Sequence, residues 1–122
     1  MDAIRDELRA PALELRGLIP DVLRGYAEMS SAAMRPGELS GAVKELVAMA
    51  IAVTRECDGC IVAHTRGAVR EGATRQQVAE AIGVAISMNG GPGTVWGSRA
   101  LRVFDEAAAA RAAAPTPRRA AT

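Results

Sequence analysis

Residues 41–70 read GAVKELVAMAIAVTRECDGCIVAHTRGAVR, and this stretch decides the fold. Ser40 stands just ahead of it as an N-cap, so a helix is expected from Gly41 to about Arg55. The interior of that helix, Leu46 to Val53, is apolar on every face. That is the pattern of a helix surrounded by others or by another subunit. A further helix should start near Cys57 or Asp58 and run to Arg70, stopping at Gly72. A thioredoxin-like unit opens its CxxC helix after a strand, and here the preceding residues read as helix, so that arrangement is excluded.

Outward from this pair the chain continues as helices. Asp2 to Arg16 is amphipathic through Ile4, Leu8, Leu13 and Leu15, with Pro11 expected to break or kink it. Pro20 reads as the first-turn proline of a helix to about Met34, ended by Arg35, Pro36 and Gly37. Thr74 and Gln77 form a capping box that opens a helix to about Met88. Asn89 to Gly93 is expected to be a loop, and a last helix should run from Thr94 to about Ala113. The expectation is an all-α fold of about six helices in one domain, residues 1–113, with 114–122 as a disordered tail. No internal repeat is visible, though Ala107 to Ala114 is low in complexity.

Composition bounds the function. The 122 residues carry 15 Lys and Arg against 14 Asp and Glu, a net charge of +1. Such a balance makes no electrostatic case for nucleic acid or a membrane surface. Trp96, Tyr26 and Phe104 are the only aromatics, which leaves no stacking platform for bases. The first residues are charged and lack a signal peptide's apolar stretch. Leu46 to Val53 is too short to cross a bilayer. A cytoplasmic protein is expected, and there a close cysteine pair points to catalysis, redox sensing or metal binding rather than a structural staple.

Cys57, Cys60 and His64 stand at i, i+3 and i+7, within roughly 60° of one another on one helix face. In the first turn, unpaired N–H groups and the helix dipole favour a thiolate at Cys57. A thiolate attacks a disulfide or peroxide, a second thiol resolves the adduct, and a histidine moves a proton near neutral pH. Plainer alternatives stay open: two cysteines as ordinary core, His64 as a surface or core residue, Glu45 as a solvated acid in a first helical turn. Only its place before the apolar run hints that Glu45 faces inward. Zinc would find three ligands in Cys57, Cys60 and His64 and need Asp58 or Glu45 as a fourth; no metal or cofactor is expected.

At these residues the sequence resembles the carboxymuconolactone decarboxylase/AhpD-like alkylhydroperoxidase family, in its CxxC-containing branch. The resemblance covers about Leu39 to Phe104. It rests on Lys44-Glu45-Leu46 before the apolar run, on Cys57 to His64 with the helix continuing to Gly72, and on Met88 to Gly93 followed by Val95-Trp96-Gly97 and Ala100-Leu101. It implies an all-helical AhpD-like fold assembled into a homo-oligomer, hexamer ahead of trimer. It also implies Cys60 as attacking thiol, Cys57 as resolving thiol, and a proton relay of Glu45 and His64. Helix position alone would instead make Cys57 the more acidic thiol. Some members carry a second histidine just before the second cysteine, where this chain has Gly59. The implied substrate is a hydroperoxide or disulfide and the implied electron donor a dithiol or protein thiol. Decarboxylation of a lactone is the lesser reading, because members with that activity do not work through a cysteine pair. The alternative of another class is a non-enzymatic oligomer whose cysteine pair responds to oxidation.

Overall fold

The computed structural model describes residues 2–115, and these form six helices with no strand among them. They are α1 (Asp2–Leu18), α2 (Pro20–Met34), α3 (Gly41–Thr54), α4 (Asp58–Arg70), α5 (Arg75–Asn89) and α6 (Gly91–Ala113). None is long and apolar enough to cross a membrane. The expected tail lies outside the described residues from 116 onward.

Local chemistry sets most boundaries. The Ser40 hydroxyl accepts from the Val43 N–H at 3.1 Å and caps α3. Lys44 reaches back from α3 to donate to the carbonyls of Ala33 and Arg35, at 2.9 and 2.6 Å, satisfying the exposed carboxyl end of α2. Thr74 and Gln77 form the reciprocal capping box of α5, with bonds of 2.8 and 3.1 Å.

Two expectations are corrected. Pro11 does not break α1, which runs through it to Leu18. The hydrogen bond it cannot donate belongs to the exposed Glu7 carbonyl, which water can satisfy. The predicted loop from Asn89 to Gly93 shrinks to one linking residue. Asn89 still belongs to α5, Gly90 takes φ 67° as the joint, and Gly91, Pro92 and Gly93 already form the first turn of α6. Proline needs no N–H partner in a first turn, so this glycine-rich segment opens a helix as easily as it makes a loop.

The core belongs to α3–α6. Met49 and Val53 of α3, Ile61 and Ala68 of α4, Val78 and Ile82 of α5, and Ala100 and Phe104 of α6 are buried together. Small residues let the helices approach closely: a Cβ at Gly97 would strike Ile82. The hairpin of α1 and α2 sits outside this core, and no residue of α2 is buried. Arg75 and Asp105 tie α5 to α6 through a two-pronged pair at 2.9 and 3.1 Å. The guanidinium lowers the Asp105 carboxyl below its ordinary value, so the pair's contribution is present at neutral pH and lost as pH falls through that lowered value. Both groups are solvated, which keeps the contribution small.

A cysteine pair beside a buried carboxylate and an imidazole

A tight turn between α3 and α4 delivers the cysteines. Cys57 N–H donates to Ala52 O at 3.1 Å and Glu56 N–H to Val53 O at 3.2 Å, the paired bonds of a Schellman ending. Glu56 occupies its left-handed position at φ 53°, where glycine is usual. A non-glycine residue there costs about 1 kcal/mol or more. The two backbone hydrogen bonds hold the turn, and it places Cys57 directly at the mouth of α4.

Cys57 lies at the N-cap, not in the first turn as its spacing suggested, with extended backbone at φ −105° and ψ 98°. Its Sγ accepts from the Cys60 N–H at 3.3 Å. The two cysteines form a disulfide with a Cα–Cα distance of 5.3 Å. An extended N-cap followed by one helical turn brings i and i+3 together, so the meeting owes more to the cap than to a shared helix face. Cys57 is half-buried and Cys60 exposed.

Glu45 sits one turn inside α3 rather than in its first turn, and it points inward: the residue is 8% exposed. Its Oε2 lies 2.8 Å from His64 Nδ1. An ionised carboxylate only accepts, which makes Nδ1 the donor in this contact. His64 is one helical turn beyond Cys60, a spacing at which side chains are neighbours on the helix surface. The antiparallel crossing of α3 and α4 makes this possible. Gly41 at the start of α3 meets the Glu71 side chain at the end of α4, and Gly67 meets Glu45 midway. A Cβ at Gly67 would fall on the Glu45 carboxyl group.

Three groups at the site escaped the sequence reading. Gly67 is one; a glycine inside a helix, three residues past His64, was a signal of close approach. The others are Arg99, whose Nη1 lies 3.4 Å from Asp58 Oδ1, and Trp96, whose ring centroid is 4.6 Å from the Arg99 guanidinium carbon. No spacing within α4 points to them. Among the described residues no cluster of three or more His, Cys, Asp or Glu could hold a metal ion.

Comparison with known proteins agrees with this architecture. The sequence profile of the carboxymuconolactone decarboxylase family matches residues 20–106. An uncharacterised protein of Cupriavidus necator is 44% identical over 86 residues, 70% of this chain and 76% of the relative. An uncharacterised protein from the cox locus of Paracoccus denitrificans is 40% identical over 81 residues, 66% of this chain and 73% of the relative. Among solved structures, a carboxymuconolactone decarboxylase family protein from Legionella pneumophila aligns with a TM-score of 0.83 at 34% identity, covering 88% of this chain and 96% of that one. A Thermotoga maritima protein aligns with a TM-score of 0.73 at 26% identity, covering 84% and 96%. The profile match begins at Pro20, the first residue of α2, so it takes in the whole α3–α6 core and the cysteine pair but not α1. On that span, this chain belongs to the carboxymuconolactone decarboxylase family.

Proposed function

We propose that the chain is a thiol-dependent peroxidase or disulfide oxidoreductase that cycles between the Cys57–Cys60 disulfide and the dithiol. The observation that supports it best is the disulfide at the mouth of α4, one helical turn from an imidazole hydrogen-bonded to a buried carboxylate. In the reduced protein, His64 takes the Cys60 proton and Glu45 stabilises the imidazolium that results. The Cys60 thiolate attacks one oxygen of a hydroperoxide, the O–O bond breaks, and the leaving alkoxide takes a proton to depart as alcohol. Cys57 then displaces hydroxide from the Cys60 sulfenic acid, giving the disulfide and water. Two electrons pass from the dithiol to the peroxide, and an external dithiol or protein thiol returns them.

Exposure favours Cys60 as the attacking thiol, since an entering peroxide reaches it first. The hydrogen bond received by Cys57 favours that sulfur as a stable thiolate, which also suits a resolving and leaving group. Turnover of hydroperoxides with a dithiol donor, with Cys60→Ser as blank, tests the activity. Stoichiometric oxidation without turnover would instead fit a redox-responsive protein with no enzymatic cycle. For the roles, Cys57→Ser should still lose its remaining thiol to peroxide and stall as a sulfenic acid or higher oxide, while Cys60→Ser reacts slowly. Faster oxidation of Cys60→Ser by mass analysis would invert the assignment.

A homo-oligomer, hexamer ahead of trimer, belongs to the same proposal. Val43, Val47 and Ile51 form an uncharged stripe along α3 with 41–54% of each residue exposed, and Val22, Tyr26 and Met29 form another along α2. Apolar stripes of this kind gain from burial against a second copy. Light scattering at micromolar concentration should return a multiple of the 12.7 kDa chain mass; a monomer would count against assembly.

A further inference from the structure

Asp58 stands between the two cysteines in sequence and opens α4. Its carboxylate shares a helix mouth with the Cys57 sulfur, which accepts from the Cys60 N–H. Unpaired N–H groups in a first helical turn favour any nearby anion, so a Cys57 thiolate and the Asp58 carboxylate compete for the same donors and repel each other. Arg99 of α6 intervenes. It approaches Asp58 Oδ1 at 3.4 Å, and the Asp58 side chain is only 19% exposed. The guanidinium is placed by Trp96, one turn earlier on α6, with its carbon 4.6 Å from the ring centroid.

We propose that Arg99 is a positioning residue for the cysteine pair: it draws the Asp58 carboxylate toward α6 and neutralises it, leaving the mouth of α4 to the thiolate. The assignment rests on reading the pair as a reactive dithiol. Other charged groups lie on the elements around α4. On α4 itself there is His64. From α3 comes Glu45, in contact with His64, and just past the end of α3 lie Arg55 and the exposed Glu56. From α1, Arg5, Arg9 and Arg16 line a groove whose far wall includes Gly59 and Ala63. These set a background that an Arg99 substitution does not remove. What Arg99 controls is the one carboxylate placed between the two sulfurs in the chain.

The test uses the reduced protein and follows alkylation of Cys57 by iodoacetamide across pH, with the Cys57 and Cys60 adducts separated by peptide mass analysis. A close charge moves a pKa by about 1–3 units when shielded from water, and less here because Arg99 is partly solvated. Arg99→Gln should therefore slow alkylation at pH 7 by about threefold to tenfold and move the midpoint of the pH profile upward. Arg99→Lys should keep most of the rate. Asp58→Asn should speed it, and in that background Arg99→Gln should change the rate by less than about twofold, since the two residues act as a unit. Equal slowing in both backgrounds would mean that Arg99 acts on the thiolate directly, overturning the assignment. An unchanged pH profile with a lower melting temperature would reduce Arg99 to a structural brace, and so overturn it too. Alkylation needs no hydroperoxide, so absent peroxide turnover would sink the proposed activity and leave this assignment to its own readout.

Discussion

Replacing Gly67 by alanine is expected to lower stability by about 1–3 kcal/mol, the usual cost of forcing a methyl group into a packed site. Ordinary helix chemistry predicts the opposite sign, because alanine in place of an interior glycine gains about 1 kcal/mol. The reversal comes from the Glu45 carboxyl group, which occupies the space a Cβ at Gly67 would need. The carboxyl group must shift to make room, and the shift disturbs its 2.8 Å contact with His64. Turnover should therefore fall together with stability. Gly83 of α5 supplies the control: it is exposed with nothing around its missing Cβ, so Gly83→Ala should gain stability where Gly67→Ala loses it. Chemical denaturation of both variants reads the signs. A Gly67→Ala protein stabilised like Gly83→Ala, with unchanged turnover, would show that α3 and α4 do not cross as closely as described.

Glu45→Gln separates the carboxylate's charge from its packing. The amide has nearly the same shape, and its oxygen can still accept from His64 Nδ1–H. What it lacks is the negative charge that, in the proposed cycle, stabilises the imidazolium formed when His64 takes a thiol proton. With no histidine at Gly59, the relay has no second imidazole in the motif. Turnover should fall at least about tenfold, the lower part of the range for general acid–base contributions. Fold and oligomer should be unchanged, since a buried amide asks for less solvation than a buried carboxylate. Steady-state rates with a hydroperoxide and a dithiol donor, beside light scattering, check both halves. Wild-type turnover in Glu45→Gln would dismiss the relay while leaving the cysteine pair standing.

What the chain reveals in one dimension is whatever is settled within about one helical turn. The Ser40 cap, the Thr74–Gln77 box and the stop at Gly72 each join groups a few residues apart, and each appears where the spacing put it. The meeting of Cys57 and Cys60 was legible for the same reason, although the cap rather than the helix holds Cys57. Proline and glycine were less informative: Pro11 was absorbed where water could replace its lost bond, and Gly91 to Gly93 became a helix start.

Contacts between helices were decided elsewhere. Glu45 meets His64 across 19 residues and Arg99 meets Asp58 across 41. An apolar run tells that α3 is enclosed, but not which neighbour lies against which of its faces. Whether Glu45 faces solvent or an imidazole depends on how α3 crosses α4, and that crossing depends on side-chain volume at Gly67. The sequence alone determined the helices, their caps and the cysteine–histidine spacing, because short-range hydrogen bonding encodes them. Tertiary packing alone decided that Glu45 meets His64 and that Arg99 meets Asp58, because helix crossings are set by steric fit between surfaces distant in the chain.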